Sequence, residues 1–181
     1  YLYKVPTVQN RMERIQVVSQ CWDALYHSQE SLGQSLLDQA KIDVEYGQAH
    51  WREFHNRELL DWLHTLVVMN QSALYVPTEH VLNVYEAIQQ TTYSDADQAF
   101  LYFILARAQK TPLKGLLDQA PREHILKLFS KLANIDRIWL IPALEKNQPT
   151  RHWTYANYNT IKTLAPQRVM MAFFRMREYR Y

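Results

Sequence analysis

Five residues offer the most direct prospect of chemistry. His50, Glu53, Arg57, Asp61 and His64 follow one another at steps of three and four. On a helix that spacing puts two imidazoles and two carboxylates on one face, the donor types that hold divalent ions. Two features speak against a metal. The His-Glu-x-x-His pattern is absent, as are the paired Glu-x-x-His motifs of di-iron bundles. Arg57 also projects from the middle of the face, where it would repel a cation. Glu53–Arg57 and Arg57–Asp61 are i, i+4 pairs, each worth about 0.2–0.5 kcal/mol on a helix surface. The set reads as a charged helix face, solvated or interfacial, with no metal and no cofactor expected.

The other reactive side chains form no set. His55 falls towards the apolar arc of the same helix, as a core or interface histidine. His27, His80, His124 and His152 are scattered, with no neighbouring Ser or Cys arranged for nucleophilic attack. The nucleophile elbow, the P-loop and the dinucleotide fingerprint are all missing. The lone Cys21 is expected as a small buried thiol inside the first helix, in a chain from a reducing intracellular compartment. No enzyme is expected.

A different chemistry gathers near the C-terminus. Between Arg151 and Tyr181 six Lys/Arg face one acid, Glu178, with Trp153, Tyr155, Tyr158, Phe173, Phe174, Tyr179 and Tyr181 interleaved. Cations neutralise phosphates, and aromatic rings stack on bases. Tyr, Trp and Arg are also enriched at protein interfaces. The candidate partner-binding residues are therefore Arg151, Trp153, Tyr155, Tyr158, Lys162, Arg168, Arg175, Arg177 and Arg180. On a helical wheel Arg168 and Arg175 lie together, whereas Arg177 and Arg180 point away. Met170, Met171, Phe173, Phe174 and Met176 leave little polar circumference. That pattern suits burial by several neighbours better than one basic stripe along a nucleic acid. Its narrow, mixed polar arc disfavours a membrane-surface helix but permits headgroup contact within a larger complex.

This basic end belongs to a wider asymmetry. Residues 1–100 hold six Lys/Arg and thirteen Asp/Glu, about −7, while residues 101–181 hold fourteen and five, about +9. The net charge of +2 hides the division. Oppositely charged ends imply different partners, or one partner engaged at two places.

The elements that must position these groups are helical. Only three glycines occur in 181 residues (Gly33, Gly47, Gly115), which leaves little for hairpins, bulges or phosphate loops. Apolar residues make up 48% of the chain, enough for a packed core. The first helix is expected over 8–27, with Thr7 as its cap and Val8, Met12, Ile15, Val18, Trp22 and Leu25 in step. A second spans 29–46, its apolar residues Leu32, Leu36, Leu37, Ile42 and Val44, stopped by Gly47. A third spans 50–69, with Trp51, Leu59, Trp62, Leu63, Leu66, Val67 and Met69 on one broad arc. A fourth covers 78–90. A fifth covers 94–109, with Ser94 as cap and two acids in the first turn. Pro112 and Pro121 start further helices, the latter to about 133, and 135–145 and 166–179 complete the set.

These elements define an all-α chain of about eight helices in antiparallel hairpins, as an irregular TPR- or PPR-like array or an orthogonal bundle. Leu36-Leu37-Asp38-Gln39-Ala40 recurs as Leu116-Leu117-Asp118-Gln119-Ala120, though no helical-repeat consensus accompanies it. The fifth helix crosses residue 100 without a linker, so residues 1–181 are expected to form one domain. The longest apolar-rich runs, 63–76 and 98–106, fall short of the ~20 residues that span a bilayer.

The functional expectation is a non-catalytic subunit or adaptor that contacts other protein subunits. The alternative is an RNA-binding helical-repeat protein using its basic C-terminal half. The first residue is Tyr1 rather than Met, which fits removal of a targeting peptide and equally a trimmed segment. An organellar assembly, on the mitochondrial matrix side, is the setting these features favour: a respiratory, ATP synthase or ribosomal complex.

Overall fold

The computed structural model describes residues 6–27, 31–70, 72, 74–108, 111–129 and 131. These residues are mostly helical, and no strand occurs among them. They fall into two compact units: 6–92 with 111–112, and 93–108 with 113–131.

The first unit holds α1 (Val8–Gln20), α2 (Trp22–Tyr26), α3 (Ser31–His50), a 3-10 turn (Trp51–Glu53), α4 (Arg57–Met69) and α5 (Thr78–Gln89). Thr7 caps α1 as expected, its side chain accepting from the Asn10 N–H at 3.1 Å. α1 packs against α3 and α4, α2 against α3, and α5 against α4. The core draws Met12, Ile15 and Val18 from α1, and Leu37, Ala40 and Val44 from α3. α5 adds Val81, Val84 and Ile88. α4 lies deepest: from Leu59 to Met69 every residue but Asp61 and His64 is buried. All seven apolar residues expected on the third helix's arc are indeed buried.

Several helix boundaries differ from expectation. The first helix is interrupted at Cys21, whose backbone leaves the helical region (φ −102°, ψ 15°). Cys21 is exposed rather than buried, because the interruption places it on the outside of the joint between α1 and α2. Gly47 does not stop the second helix, for α3 continues to His50 with Gly47 buried inside it. The third helix does not begin at His50. The chain passes through the 3-10 turn and then Asn56, which adopts φ 44° and ψ −106°, before α4 starts. That reversal breaks the helical phase, so His55 is exposed in the connection rather than directed at the core.

The second unit holds α6 (Asp95–Arg107), a 3-10 turn (Leu116–Gln119) and α7 (Arg122–Phe129). Ser94 caps α6, accepting from the Asp97 N–H at 3.2 Å, and Asp95 and Asp97 sit in its first turn. α6 runs through residue 100, so the change in charge sign falls inside a helix. α7 and the 3-10 turn pack on α6, burying Phe103, Ile104, Leu113, Leu117, Ile125 and Leu128. The recurring pentapeptide folds in two ways: its first copy lies within α3, its second in the 3-10 turn. Gly115, at φ 84°, enters that turn in the left-handed region, and Ala120 is extended (ψ 141°) as a residue before proline must be.

Among the described residues no helix is long and apolar enough to cross a membrane. The helices expected over 135–145 and 166–179 lie outside the described residues.

Candidate functional site

The five charged residues proposed as one helix face are distributed over three elements. His50 ends α3, Glu53 lies in the 3-10 turn, and Arg57, Asp61 and His64 lie on α4. The reason is the break at residues 54–56. Arg57 and Asp61 do pair on the surface, Nε to Oδ1 at 3.2 Å. His50 turns away onto Tyr46, donating from Nδ1 to the Tyr46 carbonyl at 2.9 Å with the rings stacked 4.1 Å apart. No three His, Cys, Asp or Glu side chains among the described residues are grouped to hold a metal ion. The nine partner-binding candidates, Arg151, Trp153, Tyr155, Tyr158, Lys162, Arg168, Arg175, Arg177 and Arg180, lie outside the described residues.

Two polar centres stand out in the first unit. The first is Asp43 on α3, whose side chain is 0% exposed. Arg11 Nη1 donates to Oδ1 at 2.8 Å; Arg14 donates from Nε to Oδ2 at 2.5 Å and from Nη2 to Oδ1 at 2.9 Å. Arg11 also lies over the Tyr46 ring, 4.2 Å from its centroid. A carboxylate out of water is tolerated only when paired and hydrogen-bonded, and here three charge-assisted bonds do so. Arg11 and Arg14 share a face of α1 at i, i+3, so the cluster sets the register of α1 on α3. Nearby, Gln16 of α1 donates to Thr65 of α4 at 2.8 Å, and Thr65 donates to the Asp61 carbonyl at 2.8 Å.

The second centre is aromatic. Trp62 of α4 is fully buried, and its Nε1–H donates to His80 Nε2 on α5 at 3.1 Å. Phe54 meets Trp62 edge-on at 6.1 Å, and Trp51 meets His80 edge-on at 5.8 Å. On α3, Gly47 abuts the indole. A Cβ at position 47 would lie 2.6 Å from Cζ3 and 2.7 Å from Cζ2 of Trp62. Since Nε2 accepts, the His80 ring is neutral with its proton on Nδ1. Burial pushes the His80 pKa below its ordinary value, and the Arg52 guanidinium adds to the shift.

Beside this centre runs a cleft of about 250 Å³. It is lined mainly by Leu66, Met69, Leu74, Val76, Val81 and Pro112, with Asn70, Thr78 and Thr111 as its polar groups. In the second unit, Tyr102 and His124 are hydrogen-bonded, hydroxyl to Nδ1, at 2.8 Å. The pair ties α6 to α7.

On the outside of the first unit, several large apolar side chains remain in solvent. Val17 is 60% exposed, Tyr26 64%, Leu32 62%, Ile42 53% and Tyr75 79%. Leu32 and Ile42 were expected among the apolar residues of the second helix, and the face of α3 that meets α1 does not include them.

Compared with known proteins, the chain matches no family model, no curated protein and no solved structure.

Sequence reasoning passed over Asp43, Arg11, Arg14, Trp62 and His80 as polar partners. Signals existed for the first three: Asp43 sits between Ile42 and Val44, and Arg11 and Arg14 lie one turn apart beside apolar Met12 and Ile15. Nothing local announces the Trp62–His80 bond, whose ends are eighteen residues apart.

Proposed function

We propose that the chain is a non-catalytic helical subunit or adaptor that acts by contact with other proteins. The observation that carries this reading is the number of large apolar side chains left in solvent on α1 to α3: Val17, Tyr26, Leu32 and Ile42. The first unit already has a filled core, so these residues contribute nothing to its interior. Exposed apolar groups of this size gain free energy when a partner removes them from water, at about 25 cal/mol per Å². The larger assembly we favour is an organellar one, such as a respiratory, ATP synthase or ribosomal complex on the mitochondrial matrix side. Affinity capture of the native chain tests this. Defined stoichiometric protein partners, lost when Leu32 and Ile42 are both changed to Ser, are expected. A chain that purifies alone from its native source overturns the reading.

A second reading is RNA binding through residues 151–181, favoured by their six Lys/Arg against one acid and their interleaved aromatics. Phosphate contacts release counterions, so affinity falls steeply with salt. RNA affinity that drops by orders of magnitude between about 50 and 200 mM salt would support it; absent or salt-independent affinity would remove it.

A further inference from the structure

We propose that His80 is a proton-operated latch holding the first turn of α5, and with it one wall of the neighbouring cleft, against α4. The geometry is specific. Trp62 Nε1–H can only donate, and among the described residues its acceptor is the unprotonated Nε2 of His80, 3.1 Å away. A protonated imidazole has donors on both nitrogens and no acceptor. Protonation therefore turns a bond between α4 and α5 into a donor facing a donor, inside a site where Trp62 is 0% exposed. The indole cannot swing aside to compensate, because Gly47 of α3 lies against one part of it and Phe54 against another. The movable partner is His80.

The charged surroundings do not rescue the protonated ring. From the 3-10 turn the facing charge is Arg52, a cation stacked 4.9 Å over Trp51, which opposes a second positive charge. On α4, Asp61 beside Trp62 is bonded to Arg57. At the end of α3, His50 is turned onto Tyr46. On α5 itself Glu79 is exposed. Burial and Arg52 both favour the neutral ring, so the latch is closed at neutral pH and opens in acid.

The consequence is local. Val84 and Ile88, farther along α5, are buried and keep the rest of the helix docked. Thr78 and Val81 flank His80 on the first turn and both line the cleft. Release of that turn therefore widens the cleft while the core of the unit stays packed.

The test uses the full chain in solution, with NMR of the indole and backbone amides between pH 8 and pH 5. As the His80 ring titrates, the Trp62 indole N–H is expected to lose its hydrogen-bonded shift and its slow exchange with water. Amide protection in residues 80–84 should fall in parallel, after correction for intrinsic exchange, and α4 amides should hold theirs. In H80Q the Gln carbonyl accepts the same bond without titrating, so both responses should vanish. An indole signal and α5 protection that stay unchanged through the His80 titration overturn the proposal. So does a pH response that persists in H80Q. Should H80Q not fold, the comparison of the His80 ring titration with the Trp62 signal in the unaltered chain decides alone.

Discussion

The indole of Trp62 fills the space that any side chain at position 47 would need. Gly47 is helical and buried, so its value lies in the missing Cβ rather than in unusual backbone angles. Two helices approach through that gap, and the bond from Trp62 to His80 depends on the indole staying there.

G47A is therefore expected to destabilise the first unit, although alanine is the better helix former by about 1 kcal/mol. The overlap with a rigid ring should outweigh that gain, for a net loss of about 1–3 kcal/mol. Denaturant unfolding measures it. In the double variant G47A/W62L the two effects should be less than additive, because the smaller side chain removes the clash. Strict additivity would show that the Gly47–Trp62 contact is not the cause.

Asp43 should be among the least replaceable charges in the chain. D43A strands Arg11 and Arg14, whose side chains are only 18% and 15% exposed. Removing one member of a buried ion cluster costs about 3–5 kcal/mol. Replacing Arg14 alone by Met should cost less, because Arg11 still meets Oδ1. Thermal melting of the three proteins should rank them in that order.

Stability should fall on acidification in a way that tracks His80. Its folded pKa lies below the ordinary 6.5, so the unfolded chain binds more protons in the window beneath that value. The stabilising contribution is complete above about 6.5 and is lost as pH falls through the lower folded value. Melting temperature against pH should bend downward there, and the bend should be absent in H80Q.

Tyr85 works in the opposite direction. Burial raises its pKa above 10.0, since the phenolate is disfavoured away from water. The folded state then binds more protons than the unfolded one at high pH. Its contribution is complete below about 10 and is lost as pH rises through the raised value. Y85F should flatten the alkaline limb of the stability profile and leave neutral pH unaffected.

The exposed apolar residues should behave unlike the core. L32S and I42S are expected to change stability by no more than about 0.5 kcal/mol, because more than half of each residue stays in solvent. L63A, at a fully buried position of α4, should cost about 2–5 kcal/mol. A large loss in L32S or I42S would mean that these residues support the fold rather than await a partner.

The readable part of the fold was the local part. Thr7 and Ser94 cap their helices through bonds to residues three along the chain, and the buried arc of α4 follows its apolar spacing. Gly47 lies inside α3 rather than at its end; glycine carries the same local signal at a helix end and at a tight crossing. The charged set around Arg57 dissolved for a related reason. The spacing of His50, Glu53 and Arg57 is helical, but Asn56 at φ 44° resets the phase between the second and the third.

What the residues alone determine is the helical class, the caps, the apolar faces and the opposed charge of the two ends. Each depends on hydrogen bonds and periodicities within a turn or two, or on composition. The tertiary structure alone decides that Asp43 is buried under two arginines from α1, that Trp62 bonds to His80, and which apolar residues of α3 remain in solvent. A buried carboxylate or indole is stable only where its partner arrives from another segment. That arrival depends on how the helices cross, which no single window of sequence contains.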